Sequence, residues 1–239
     1  MKFFQQSLLA LGKIQISSKD HFHSPSFITR QKGRVYRNTW VFFGIILETI
    51  TPVLDQLQLG ICYYIAVIGT VESANMIAMG KLLRLSIQEP IDCDPGSCGC
   101  HHGNHISVFA YIKNNGIALV EDYPFVSETQ PCYAKNILHK PRVFINDVTV
   151  LNKRGLLGED ELKKAISMRP VMVILKVGYE FFEFKGGIFR TETKDPKWGY
   201  HNSYGVRWGI GGYMLLERNN SLLHGRCGIL ISPVYPIIY

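Results

Sequence analysis

The chain has 239 residues, of which 46% are hydrophobic and 19% are charged, and its formal net charge is +7. This balance excludes a disordered or fibrous protein, and the length allows one large domain or two small ones around a substantial core. Lysine and arginine are scattered along the chain and form no basic block with aromatic residues, so we expect no nucleic-acid binding.

The first residues only partly match a signal peptide. Lys2 precedes a short apolar run, but Gln5, Gln6 and Ser7 interrupt that run, and no small-residue cleavage site follows it. A second apolar stretch, WVFFGIILETITPVL, carries Glu48 and is too short for the ~20 apolar residues of a spanning helix. We therefore expect that stretch to be a buried strand and expect no membrane span.

The central and C-terminal parts differ in pattern. YYIAVIGTVESANMIAM predicts a long helix over 63–79 that ends at Gly80, and SVFAYIKNNG predicts a second helix that ends at Gly116. Residues 90–104 are rich in Gly, Pro, Cys and His and predict a loop. After Pro141, RVFINDVTVL and PVMVILKVGYEFF are β-branched runs separated by the charged helix EDELKKAISM. The sequence therefore predicts an α+β protein of two lobes with a boundary near Leu151.

Cys62 lies directly before the long helical pattern, and Gly60 permits a tight turn in front of it. The positive end of the helix dipole and the unpaired N–H groups of a first turn both favour a thiolate. The alternative is a buried structural cysteine, since free cysteine is among the most buried residue types.

The residues around Cys62 resemble the nucleophile segment of the papain family of cysteine peptidases. The segment LGICY keeps three features of the family signature: the glycine (Gly60), the nucleophile (Cys62) and the aromatic residue (Tyr63). The likeness continues in order through LSIQEPIDCD, GCHHG, NNGIALVEDYPF, RPVMVILKV, FEFKGGIF, NSYGVRWGIGGYMLLER and RCGILISPVYPI. It extends from Thr51 to Ile237.

The resemblance implies a role for individual residues. Cys62 would be the nucleophile, Gln56 an oxyanion donor and Asn202 the residue that orients the catalytic histidine. It also implies a disulfide between Cys93 and Cys132. Glu72 occupies another family position, and Tyr204 stands where the family has a tryptophan that shields the histidine–asparagine hydrogen bond.

The resemblance also implies the organisation and setting of the protein. A papain-like fold would place a helical lobe at 46–150 and a strand-rich, incomplete lobe at 151–239, after a segment 1–45 without a recognisable propeptide. Peptides or proteins would be the substrates and protease-inhibitor proteins the partners, with no cofactor and no metal. The compartment would be the secretory pathway, the vacuole or lysosome, or the extracellular space.

The catalytic histidine of the resemblance has no counterpart in this sequence. Only RTETKDPKWGYH separates Phe189 from Asn202, which leaves no room for the apolar strand that carries that histidine. His201 is a poor substitute, because neighbours along an extended segment point to opposite faces. We therefore expect a cysteine-type endopeptidase with impaired catalysis, or alternatively a pseudopeptidase that binds peptides or inhibitors. We also expect the second lobe to be less stable than the first, since missing strands leave sheet edges uncovered.

The remaining cysteines have no predicted partner. The resemblance places the partner of Cys100 at position 59, which is leucine, and the partner of Cys227 in the missing block; Cys98 is additional. A zinc site of Cys93, Cys98, Cys100 and His102 is an alternative interpretation of this loop, although its spacing matches no common zinc pattern.

Overall fold

The computed structural model describes residues 14–17, 49–101, 103–152, 158–190, 199–200, 209 and 212–239, and for 14–17 and 199–200 the backbone alone. Most of the apolar stretch that we predicted as a buried strand, 40–48, lies outside these residues. Within them the fold mixes helices with short strands, so the predicted α+β class is confirmed.

The longest element is helix α1, Cys62–Met79. It ends where the sequence predicts, because Gly80 adopts the left-handed conformation (φ 67°) and donates its N–H to the carbonyl of Met76 at 2.9 Å. Left-handed backbone suits glycine at a helix C-terminus. The helix is buried along most of its length and forms the centre of the first hydrophobic cluster.

Two further helices pack in the first half of the chain. Helix α2 is Gln88–Cys93, so the loop predicted from residue 90 was wrong in its first part. Helix α3 is His105–Asn115 and confirms the second predicted helix, with Asn104 capping its start by accepting the N–H of Ile106 at 2.9 Å.

The strands are shorter than the β-branched runs indicate. RVFINDVTVL forms two strands: β3, Arg142–Val143, is antiparallel to β2, Ile117–Ala118, and β4, Asp147–Val150, is antiparallel to β9, Val234–Ile237. The irregular residues 144–146 separate the two strands, which pair with different partners, so this one run belongs to two sheets.

Only a small part of the second β-branched run, PVMVILKVGYEFF, forms a strand. Strand β5 is Lys176–Val177, paired antiparallel with β7, Gly199–Tyr200. Gly178 then ends the strand and precedes the short helix α5, Tyr179–Phe182. The predicted charged helix is confirmed as α4, Glu159–Ile166.

The last sheet has three strands in the order β1-β8-β6. Its central strand β8, Met214–Glu217, is parallel both to β6, Ile188–Phe189, and to β1, Ile14–Ser17. A strand from the start of the chain is therefore paired with a strand near its end.

Two main clusters of buried apolar side chains divide the described residues. The first is centred on α1 and α3 and takes Met172 and Val234 from later in the chain, while the second contains Leu162, Phe189 and other residues of the second half. This distribution supports the lobe boundary near Leu151, which stays a prediction. Among the described residues only α1 is long and apolar enough to cross a membrane, and 67% of it is buried inside the fold.

Candidate active site

Cys62 is the first residue of α1 and has 0% of its surface exposed. Ile61, at the cap position, makes no side-chain hydrogen bond to the helix. The first turn contains no acidic residue. The thiol thus lies at the positive end of an 18-residue helix dipole, where the thiolate is favoured over its neutral form. Its complete burial opposes that effect, because desolvation disfavours the charged form.

Gly60 is needed here for space. A Cβ atom on this residue would lie 1.9 Å from the carbonyl oxygen of His101. Its own N–H donates to the carbonyl of Cys100 at 2.7 Å. The sequence predicted a tight turn at Gly60, and the structure adds the reason: the loop that contains Cys100 and His101 passes directly against the approach to Cys62.

Gln56 is buried on the segment that leads to α1, with 4% of its surface exposed. Its Nε2 donates to the carbonyl of Leu59 at 3.1 Å, and its Oε1 has no hydrogen-bond partner among the described residues. The amide group carries two N–H donors. One of them is held by the carbonyl of Leu59, which fixes the orientation of the amide.

Tyr63 holds the start of α1 against the loop that follows α2. Its hydroxyl donates to the carbonyl of Gly99 at 3.5 Å, and a Cβ on Gly103 would lie 2.3 Å from that hydroxyl. Burial raises the pKa of the Tyr63 hydroxyl well above its ordinary value, with the neighbouring Tyr64 as a smaller cause. The phenol therefore stays neutral beside Cys62.

Glu72, further along α1, connects the helix to two other segments. Its carboxylate accepts hydrogen bonds from the hydroxyl of Thr51 and from the N–H of Leu85, the latter at 2.8 Å. The side chain is 3% exposed. Its contacts are those of a residue that fixes the helix within the lobe.

The loop after α2 is organised by hydrogen bonds to Asp94. Its carboxylate accepts the N–H of Gly96 at 3.0 Å and the hydroxyls of Ser97 and Ser107, both at 2.6 Å. Asp94 is 6% exposed. A buried carboxylate with three donors explains how this glycine-rich and proline-rich segment holds one conformation.

Cys93 and Cys132 are joined by a disulfide, as the resemblance implies. Cys93 is therefore unable to act as a thiolate ligand, and the alternative zinc site that included it was wrong. The described residues contain no cluster of three or more His, Cys, Asp or Glu that could hold a metal ion; His102 is outside them. Burial raises the pKa of the Cys100 thiol, so this thiol stays protonated. Cys62 differs from it in lying at the N-terminus of a helix.

His105 was missed by the sequence analysis. It opens α3, is 9% exposed, and its Nε2 has no hydrogen-bond partner within the part of the chain that the structure describes. Burial lowers the pKa of this imidazole to about 4, so it is neutral near pH 7. A signal was available, since His105 shares with Val108, Phe109 and Ile112 the i, i+3, i+4, i+7 spacing of a buried helix face.

The other half of the predicted site is not described. Asn202, His201 and Tyr204 lie outside the described residues, as does the segment in which the catalytic histidine would be sought. Strand β7 ends at Tyr200, immediately before His201. The structure therefore brings Gln56 and Cys62 onto one segment and leaves the roles of all three predicted catalytic residues as predictions.

Known proteins resemble the chain over most of its length. The chain matches the model of the papain family cysteine proteases over residues 46–237. It is 34% identical to zingipain-1 of Zingiber officinale over 209 residues, which is 79% of this chain and 91% of that protein. It is also 34% identical to papaya proteinase 4 of Carica papaya over 206 residues, which is 79% of this chain and 58% of that protein.

Solved structures give the same result for the fold. The Carica candamarcensis cysteine protease CMS1MS2, solved with E-64, superposes with a TM-score of 0.71 at 30% identity, covering 80% of this chain and 94% of its own. Bromelain of Ananas comosus, also solved with E-64, superposes with a TM-score of 0.71 at 29% identity. The match covers 81% of this chain and 96% of the bromelain chain. The buried thiol of Cys62 at the start of α1 and the amide of Gln56, fixed by Leu59, lie within the part of the chain that matches this family. The chain belongs to the papain family of cysteine proteases.

Proposed function

We propose that the chain is a papain-type endopeptidase in which Cys62 is the nucleophile and Gln56 an oxyanion donor, and whose catalysis is impaired. The position of Cys62 at the start of α1 carries this proposal. A thiol there attacks a peptide carbonyl as a thiolate, and the tetrahedral oxyanion that forms accepts a hydrogen bond from the remaining N–H of Gln56.

Two observations support the impairment. The stretch from Phe189 to Asn202 has no histidine other than His201, so the strand that carries the family's base has no counterpart in the sequence. Cys62 itself is wholly buried, and burial makes its thiolate less favourable than the thiolate of an exposed cysteine. Without an imidazole to accept the thiol proton and later protonate the leaving amine, both halves of the reaction are slowed.

Peptides and proteins are the proposed substrates, and Asn202 is the proposed orienting residue if any imidazole reaches the site. E-64, which is bound in the two solved relatives, is the proposed small-molecule probe of the same cleft. By relation to plant proteases we propose a secretory, vacuolar or extracellular location.

The alternative is a pseudopeptidase that binds extended peptides or protease inhibitors without turnover. The missing histidine strand favours it over an active enzyme. The two alternatives differ in a measurable rate. An enzyme that has lost one member of its catalytic triad still hydrolyses its substrate on the order of 10³-fold faster than water alone does, while a binding protein gives no acceleration.

Hydrolysis of a fluorogenic peptide by the wild-type chain and by Cys62→Ser tests the proposal. We expect slow turnover that Cys62→Ser abolishes, with Cys98→Ser as the control that leaves it unchanged, because Cys98 is an exposed thiol. Turnover that survives Cys62→Ser contradicts the assignment. Calorimetric binding of the peptide without turnover selects the pseudopeptidase.

A further inference from the structure

Strand β1, Ile14–Ser17, is paired along its whole length with β8. Four Cα pairs define a parallel register: Ile14 with Met214, Gln15 with Leu215, Ile16 with Leu216 and Ser17 with Glu217. Since β6 pairs with the opposite edge of β8, the central strand has a neighbour on each side.

The residue types of β1 follow the burial of β8. Met214 and Leu216 are buried, at 1% and 0% exposure, while Leu215 and Glu217 are half-buried. The order isoleucine, glutamine, isoleucine, serine puts an apolar residue in register with each buried position and a polar residue with each half-buried one. A shift of one residue would reverse every one of these pairs, so the pattern selects this register.

The edge of β8 needs such a neighbour. Met214 and Leu216 belong to the second hydrophobic cluster together with Phe189 of β6. Without β1 the sheet would have two strands, and β8 would present a row of unpaired N–H and C=O groups beside that cluster. Two-stranded sheets are marginal by themselves, and open edges invite pairing with other chains.

We propose that this edge of β8 is a strand-acceptor surface and that its occupant is the segment Ile14–Ser17 of the same chain. The N-terminal segment is then a structural part of the second lobe, docked by main-chain hydrogen bonds and selected by apolar residues at alternate positions. This goes beyond the proposed catalysis, since it assigns a function to residues outside the family match at 46–237.

The register gives a direct test in the full-length chain. In Gln15→Cys/Leu215→Cys, two register partners become thiols at the Cα separation of neighbouring strands, which suits a disulfide. The matched control, Gln15→Cys/Glu217→Cys, displaces one thiol by two residues, about 7 Å along the strand. After mild oxidation, we expect the intramolecular bond to form in roughly tenfold higher yield in the first variant, as measured by peptide mapping.

Two outcomes overturn the proposal. Equal yields in the two variants mean that the register does not exist in solution. A disulfide that joins two chains, seen as a dimer by non-reducing electrophoresis, means that a second copy occupies the edge.

A second measurement does not depend on introduced thiols. Ile16→Asp places a charge at the position in register with buried Leu216, and Gln15→Asp places the same charge at the position in register with half-buried Leu215. We expect hydrogen exchange of the amides of Met214–Glu217 to be roughly tenfold faster in Ile16→Asp than in Gln15→Asp. The same exchange rate in both variants contradicts the proposal.

Discussion

Glu89 and Arg142 form an ion pair inside the first lobe, where their side chains are 0% and 5% exposed. Glu89 also accepts the hydroxyl of Tyr111 and the N–H of Ala118, each at 2.8 Å. Arg142 donates from Nε to the carbonyl of Asn115 at 2.9 Å. The pair therefore joins α2, α3, β2 and β3, the elements that pack around α1.

Removal of one partner of this pair is expected to destabilise the protein strongly. Arg142→Met leaves the carboxylate of Glu89 buried beside two neutral donors, and broken buried pairs of this kind cost about 3–5 kcal/mol. The matched control is Lys113→Met, because Lys113 pairs with Asp147 at the surface, where a bridge contributes less than about 1 kcal/mol. Urea unfolding gives both values. Equal, small losses in the two variants would contradict a structural role for the buried pair.

Leu57 is expected to be a site where glycine stabilises the protein. Its φ of 55° is in the left-handed region and its side chain is 57% exposed, so the residue is strained and contributes little packing. Leu57→Gly should raise the free energy of unfolding by about 1 kcal/mol, since relief of the strain exceeds the added entropy of the unfolded chain. Leu57→Ala, which keeps the strain, should give no gain; a gain in alanine equal to that in glycine would refute the backbone explanation.

A cysteine at position 59 is expected to bond to Cys100. Leu59 packs against the cluster that contains Cys100, and the adjacent Gly60 donates its N–H to the Cys100 carbonyl at 2.7 Å. The new bridge should stabilise the fold by about 2–4 kcal/mol through restriction of the unfolded chain. Thiol counting under denaturing conditions measures it, with Leu59→Ser as the control. If Leu59→Cys gains one reactive thiol, no bridge has formed.

His105 is expected to make stability fall with acid. Burial lowers its pKa from 6.5 to about 4, so the unfolded chain binds its proton first as the pH falls. The stabilisation that comes from keeping His105 neutral is complete above pH 6.5, the pKa of the imidazole in the unfolded chain. It is lost as the pH falls from that value toward 4, the pKa in the folded protein. Stability should drop by about 2 kcal/mol from near pH 8 to near pH 5 on account of this residue.

His105→Met isolates that effect. Because Nε2 has no partner among the residues with described positions, an apolar side chain of similar volume leaves none of their donors or acceptors unpaired, so the variant should fold. Urea unfolding across the same pH range should show a smaller acid loss than in the wild type. An unchanged pH dependence would assign the acid sensitivity to other groups.

The sequence predicted the fold class, helices α1, α3 and α4, and the Cys93–Cys132 bond, because each has a strong local signal or a matched motif. It failed where long-range pairing decides the outcome. The β-branched run 170–182 contains only one strand, Lys176–Val177, which ends at Gly178. Earlier in the run, Met172 forms a single antiparallel bridge with Val234. The pairing of Ile14–Ser17 with β8 joins distant segments, which no local pattern reveals.

The sequence predicts the two residues of the nucleophile half of the candidate site from one local motif, and their roles stay predictions. Cys62 and Gln56 lie within one short segment, so the motif alone places them together. The complete burial of Cys62 within the first hydrophobic cluster is a result of tertiary packing, which the motif does not indicate. The role of Asn202 also stays a prediction, since Asn202 lies outside the described residues.

The rate of alkylation of Cys62 by iodoacetamide as a function of pH tests the central claim most directly. Peptide mapping separates its label from those on Cys98, Cys100 and Cys227. Without an imidazolium partner, the rate should be low and should rise with the ordinary thiol pKa near 8.5 or above it. A fast reaction that persists down to about pH 5 would mean that a base stabilises the thiolate, and impaired catalysis would then be wrong.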